Sequence, residues 1–300
     1  MDVWRINLKP GAALNGIDPR RLCLDKGIVG VGWQIDYESE PVQWEQYEKK
    51  AIEKYCNAGD KSWRPALNVI HSRIKQNDLI WTRDWQGVYY IGRIISDWHY
   101  ETSLDCKQAD IVNVRKCDWK KVGTIGAVPG KLVNSFIPAR TVQRVNDETI
   151  NLFSQIIYNE KSQSNNYEIQ SLLGKDIYSL LSSDDCEDAL ALYLQNKFAY
   201  MVIPSSCKDD TMKYEYELKH AQTGKRAIVQ VKNGFVDLNA DDYKDIDAEV
   251  FLFTTKGNYR GIQKANIHFI DKDVITNFLY NNRSLLPEKM KVWVELTRTQ

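Results

Sequence analysis

The chain has 300 residues, 43% of them apolar, 27% charged and 11% aromatic, and its 40 basic side chains balance 40 acidic ones. These are the proportions of an ordinary globular chain with room for about two folding units, which excludes a peptide hormone, a disulfide scaffold, a collagen-like repeat and extensive disorder. A formal charge of zero names no partner, so a nucleic-acid binder of this composition has to gather its Lys and Arg locally.

Met1 to Arg5 do not lead into an apolar run, so no signal peptide is expected. The most apolar windows, such as Phe198 to Ile203, are strand-length and too short to cross a bilayer, so no membrane contact is expected. Six cysteines without a CxxC pair predict reduced thiols and a cytoplasmic protein. Four histidines without zinc-ligand spacing argue against a zinc enzyme. Eight of the nine tryptophans fall between Trp4 and Trp119, which divides the chain compositionally. The polar stretch Glu160 to Tyr167 places the joint, giving units over 1–158 and 168–300 with a linker over 159–167.

In chain order, the first unit reads as short β-prone runs at Val3–Leu8, Gly27–Trp33, Asp78–Thr82, Gly87–Ile95, Asp110–Val114 and Thr141–Val145. Helices are expected at Glu45–Tyr55, with Tyr47, Ala51 and Tyr55 on one face, and at Pro65–Lys75. The sum is an α+β unit, a small β-barrel with helices packed on it, and Arg83 to Gly87 form a hairpin loop. The second unit reads as a helix at Asp184–Lys197, then strands at Ala199–Pro204, Lys213–His220, Arg226–Lys232, Glu249–Phe253 and Asn266–Ile270, then a helix at Lys272–Tyr280. That order predicts an α/β unit with a mixed sheet.

Strand alternation puts Gln230 and Lys232 on one face and Val229 and Val231 on the other. The preceding run, Lys213 to His220, puts Glu215 and Glu217 on one face. With a four-residue loop at Ala221–Gly224 the hairpin sets Glu215 opposite Gln230; with a two-residue loop it sets Glu217 there. Either register gathers carboxylate, amide and ammonium, a donor set that suits Mg²⁺ and phosphate. Asp209 and Asp210 compete with Glu215 as the first acid. Glu187 shares the apolar stripe of its helix with Leu190 and Leu194, although with Asp184 as N-cap it could equally form a capping pair.

Glu215, Gln230, Val231 and Lys232 resemble the PD-(D/E)XK motif of the restriction-endonuclease fold, in the QxK form of Mrr-like nucleases, over roughly Tyr167 to Val292. The resemblance implies Mg²⁺ held by Glu215, Gln230 and Val231, Lys232 as a catalytic group, and Glu187 as an acid supplied by the helix before the sheet. Where many relatives carry two acids, this chain has Glu215 and Gln230.

In the first unit, Gly27 to Trp33, Ile74 to Asp84 with its Asn77-Asp78 pair, Tyr89 to Arg93 and Val112 to Trp119 resemble the PUA/EVE family of small barrels, over about Met1 to Val145. That family includes readers of flipped bases, and a flipped base needs aromatic walls and a polar edge contact. Trp33, Trp81 and Trp85 are the candidate walls and Asp84 the candidate hydrogen-bond acceptor, while Trp4 and Trp119 are assigned to the core. The combined expectation is a modification-dependent DNA endonuclease of phage defence, acting on double-stranded DNA that carries a modified base. Cutting both strands with one site per chain favours a homodimer. Two other readings are a non-catalytic reader with a decayed nuclease fold and an effector nuclease gated by a nucleotide ligand.

Overall fold

The computed structural model describes residues 1–8, 16–59, 63–138, 140–208 and 214–298. They divide into two compact units, Met1–Ile169 and Gln170–Gln300.

The first unit contains β1 (Val3–Ile6), α1 (Pro19–Lys26), β2 (Ile28–Val31), α2 (Trp44–Ala51), α3 (Trp63–Asn68), β3 (Leu79–Arg83), β4 (Tyr89–Ile94), β5 (His99–Tyr100), α4 (Leu104–Gln108), β6 (Asn113–Gly123), α5 (Gly130–Asn134), β7 (Val142–Arg144) and α6 (Glu148–Ser162). Its strands form one curled mixed sheet in the order β2-β6-β4-β3-β1-β7, with β5 also on β6. β1 and β3 run parallel and the other pairs antiparallel. Among the described residues the end strands β2 and β7 do not pair, so the expected barrel is an open half-barrel. The run expected at Asp110–Val114 begins at Asn113 and continues to Gly123, spanning the curl from β2 and β5 to β4.

Alternation along these strands separates two packed faces. Trp4 and Ile80 belong to a large apolar cluster with Tyr47, Trp63, Leu67 and Ile70 from the α2 and α3 segments. Arg5 and Trp81, adjacent in register, point the other way. There Trp81 stacks on Phe153 of α6, and its indole N–H donates to Ser154 Oγ at 2.9 Å. Asp78 ties the sheet start together, accepting from the Asp2 and Lys75 amides and from the Trp4 indole at 2.8 to 3.0 Å.

Glu160 to Ser162, the expected start of the linker, form the last turn of α6. Asp147 caps that helix by accepting from the Ile150 amide at 2.9 Å, and Ile150, Phe153 and Ile157 are buried along one side. Tyr167 donates to the Asn77 carbonyl at 2.8 Å, so the polar stretch is part of the first unit.

The second unit contains α7 (Ser183–Phe198), β8 (Tyr200–Val202), β9 (Tyr216–His220), β10 (Arg226–Lys232), β11 (Leu238–Asn239), β12 (Glu249–Thr254), β13 (Tyr259–Arg260), β14 (Ile267–Ile270), α8 (Lys272–Asn281) and α9 (Glu288–Thr297). Its main sheet is mixed, as expected, in the order β14-β12-β10-β9-β8, with β10, β12 and β14 parallel and β9 and β8 antiparallel. Ile228, Val250, Leu252 and Ile267 build a core with Leu238 and Tyr243 from the segment between β10 and β12. Among the described residues no helix is long and apolar enough to cross a membrane.

Candidate functional site

The β9–β10 hairpin decides which candidate side chains meet. His220 and Lys225 close the four-residue loop through a 2.9 Å bond, and Gly224 takes the left-handed conformation at φ 66° that the turn requires. Pairs such as Lys219–Arg226 and Tyr216–Val229 then put Glu215 opposite Gln230, and the Glu215 amide extends the ladder to the Val229 carbonyl at 2.8 Å. The Gln230 amide nitrogen donates to Glu215 Oε1, and Lys232 Nζ lies 3.2 Å from the same oxygen. Gln230 is buried, whereas the Lys232 side chain is 40% exposed.

Glu217 has a different role. Arg226 grips its carboxylate bidentately, Nε and Nη2 donating to the two oxygens, and Tyr214 donates to it at 3.0 Å, so bonding to Arg226 lowers its pKa and the group stays with the loop end of the hairpin. The two-residue-loop register is not the one formed. Asp209 and Asp210, the other competitors for first acid, lie outside the described residues, as does Lys213.

Helix α7 begins two residues earlier than a cap at Asp184 requires. Ser182 is the N-cap, and Asp185 at N3 completes a reciprocal capping box, with bonds of 3.1 Å from the Asp185 amide and 2.9 Å from the Ser182 amide. The capping alternative for Asp184 and Glu187 is thereby removed. Glu187 is half-buried, and its pKa is pushed up to about 7 by burial and then by the negative charge of Glu215, with Lys232 opposing. Tyr216 ties the helix to β9 by donating to the Glu187 carbonyl at 3.0 Å.

Two carboxylates (Glu187, Glu215), the Gln230 side-chain carbonyl and the Val231 main-chain carbonyl are oxygen donors, the type that a hard cation such as Mg²⁺ takes. Among the described residues no group of three or more His, Cys, Asp or Glu side chains could hold a metal. Gln230 supplies a neutral oxygen where a third carboxylate would add charge, so the set fits Mg²⁺ in donor type while holding it with less charge.

In the first unit the four candidate base-contacting residues separate. Trp81 is fully buried against α6 and is core, a correction explained by its position opposite Ile80 on the strand. Trp33 is half-buried on the apolar cluster at φ 67°, and its carbonyl accepts from Tyr47 at 2.9 Å. Asp84 and Trp85 line a cleft of about 660 Å³ together with Asp18, Arg21, Tyr90 and Lys121. Trp85 is 70% exposed, with the Arg20 guanidinium 3.7 Å from its ring centroid, a cation–π contact. Asp84 accepts from the Gln86 and Val88 amides at 2.9 Å and from Tyr90 at 3.2 Å, so it orders the hairpin loop as well as facing the cleft. Trp119, assigned to the core, is half-buried and also lines this cleft, its indole donating to the Ile28 carbonyl.

Arg20, Arg21 and Lys121 were not singled out from sequence. Lys121 stands on β6, and Arg20 and Arg21 stand on α1, a helix that Asp18 caps, Pro19 opens and Gly27 closes at φ 62°. Nothing local signals that it meets the β3–β4 loop, some sixty residues away.

Residues 4–146 match a family model described as a domain of unknown function (DUF8426). The match begins in β1 and ends just after β7, so it covers the half-barrel and stops before α6. No curated protein and no solved structure matches the chain.

Proposed function

We propose that the chain is a Mg²⁺-dependent endonuclease of the restriction-endonuclease-like class, directed to DNA carrying an altered base by a PUA/EVE-like first unit. The observation that carries this reading is the convergence of Glu215, Gln230 and Lys232 in one hairpin register, with the half-buried acid Glu187 beside them. A bound Mg²⁺ would supply a seat for a phosphate oxygen and lower the pKa of an attacking water. Glu215 holds the Lys232 ammonium in place. From there Lys232 orients the water or balances the negative charge that develops on the phosphorane oxygens. Glu187, with its raised pKa, is suited to hold a proton near neutral pH. The cleft at Trp85 offers an aromatic face, cationic groups and a carboxylate edge for a base extruded from the duplex.

The test is incubation of the protein with Mg²⁺ and matched phage DNAs, unmodified and modified. Cleavage confined to modified DNA and abolished by EDTA is expected; no cleavage of any DNA rejects the reading. A second reading, a non-catalytic reader of modified nucleic acid, is favoured by one observation, the neutral Gln230 in place of an acid. It expects modification-dependent binding without cutting.

A further inference from the structure

β10 ends at Lys232, and the chain passes directly into a loop that displays Phe235 at 87% exposure, the highest of any large apolar side chain among the described residues. A ring left in water forfeits the stabilisation that burial would give it, and a single exposed ring is common on protein surfaces, so what matters here is where this one is held.

The loop is held firmly. Asn233 donates to the Leu181 carbonyl at 2.9 Å and accepts from Thr255 Oγ1 at 2.9 Å. The Gly234 amide donates to Thr255 Oγ1 at 2.8 Å, at a φ of 101° that favours glycine. Thr254 Oγ1 donates to the Val236 carbonyl at 2.8 Å, and the Thr255 amide donates to the Lys232 carbonyl at 3.0 Å. Gly257 lies so close beneath that a Cβ there would sit 1.9 Å from the Val236 carbonyl oxygen. The loops leaving β10 and β12 therefore brace each other at the carboxyl ends of adjacent parallel strands, where ligands of such sheets bind. A braced loop loses little backbone freedom when it is covered. Lys256, on the second loop, has its ammonium 5.7 Å from the Phe235 ring centroid and 3.8 Å from the Asp176 carboxylate, a partly exposed ion pair that a phosphate would have to share.

We propose that Phe235 is a wedge that enters the base stack next to the phosphate being cut, with Lys256 on the adjoining backbone, so that the deformability of the base step selects the cleavage position. The proposal rests on the nuclease reading. Phe235 is three steps along the chain from Lys232, a reach of about 10 Å, and one DNA strand rises about 3.4 Å per nucleotide, so the ring falls within about three nucleotides of the scissile phosphate. Apolar side chains inserted at base steps unstack and kink the duplex, most readily at pyrimidine–purine steps. Hydrogen-bond readout is not required, which separates this selection from recognition of the altered base.

The experiment uses the full chain as wild type, Phe235→Ala, Phe235→Leu and Lys232→Ala, with Mg²⁺ and phage DNAs carrying methylated, hydroxymethylated or glucosylated cytosine beside an unmodified control. Ends are mapped by sequencing, and 2-aminopurine duplexes report unstacking in the Lys232→Ala background. Wild-type ends should concentrate at TA and CA/TG steps. Phe235→Ala should cut about tenfold to a hundredfold more slowly, with a flattened distribution and no fluorescence rise, and Phe235→Leu should retain most of both.

Unchanged rate and ends in Phe235→Ala would overturn the wedge while leaving the nuclease reading intact. Binding without cutting by wild type would remove the nuclease reading, and the fluorescence arm alone then decides the wedge, which absence of unstacking overturns. A chain that neither binds nor cuts sinks both. A changed oligomeric state in Phe235→Ala with unchanged ends would assign the ring to a protein contact and overturn the proposal.

Discussion

At the scale of single residues, the decisive contrast is between Glu215 and Glu217, two carboxylates on one face of one strand. Glu215 receives Gln230 and Lys232, while Glu217 is neutralised by Arg226. Glu215→Ala and Lys232→Ala are therefore expected to abolish cleavage, whereas Glu217→Ala should keep it. Lys232→Ala removes a partly exposed side chain and its ion pair with Glu215 and should shift stability by no more than about 1 kcal/mol, which thermal melting checks. Wild-type cutting by Lys232→Ala would remove the nuclease assignment.

Glu187 gives a pH prediction. Its folded-state pKa is raised, so the folded chain binds that proton more tightly than the unfolded chain, and stability falls as pH rises from the unfolded carboxylate range through about 7. In EDTA, Glu187→Gln should be more stable than wild type at pH 8 by about 1 to 2 kcal/mol, a figure discounted for the screening of a half-buried group, and indistinguishable from it at pH 4. Equal melting at pH 8 would show that Glu187 is not held in this environment.

At the scale of elements, tryptophan content alone could not sort core from surface, because that depends on which side of a strand each ring takes. Trp81 faces α6, and Trp81→Ala should cost about 3 to 5 kcal/mol, leaving the Ser154 hydroxyl with only its 2.7 Å bond to the Ile150 carbonyl. Trp85 stands in the β3–β4 loop, and Trp85→Ala should leave the fold intact while reducing preference for modified DNA about five- to 150-fold. Binding curves on duplexes differing only in the modification, at one salt concentration, measure the preference, and circular dichroism controls for folding. Undiminished preference would move the base contact elsewhere, with Trp33 the next position to replace.

The helix start tells the same story in α7. Acids crowd the first turn and make Asp184 a candidate cap, but the reciprocal pair is Ser182 with Asp185, a shift of two residues that the local sequence left open. The missed α6 had an Asp147 cap and an apolar stripe, and it was obscured by the polar residues of its last turn.

At the scale of the whole molecule, the compositional break at Trp119 and the polar stretch after Glu160 located two units, yet the boundary falls after Tyr167. Tyr158 donates to Asp118, and Asn159 and Tyr167 bond to each other across the end of α6. A fragment of residues 1–169 should fold alone and give a dispersed heteronuclear NMR spectrum, whereas one ending at 158 should melt at lower temperature. Equal melting of the two fragments would count against the role of the 159–169 segment.

The sequence by itself determined most of the strand runs, the mixing of helices and strands in both units, and the shared face of Gln230 and Lys232, because those follow from a period of two along each strand and from turn residues a few positions apart, whereas the open curl of the first sheet was not among them. Only the tertiary structure decided that Glu215 and not Glu217 meets them, that Glu187 is free of the helix cap, and that α1 and the β3–β4 loop enclose a cleft around Trp85. Each of these depends on a register or on packing between segments far apart in the chain, and local periodicity carries no information about which distant surface a side chain will meet.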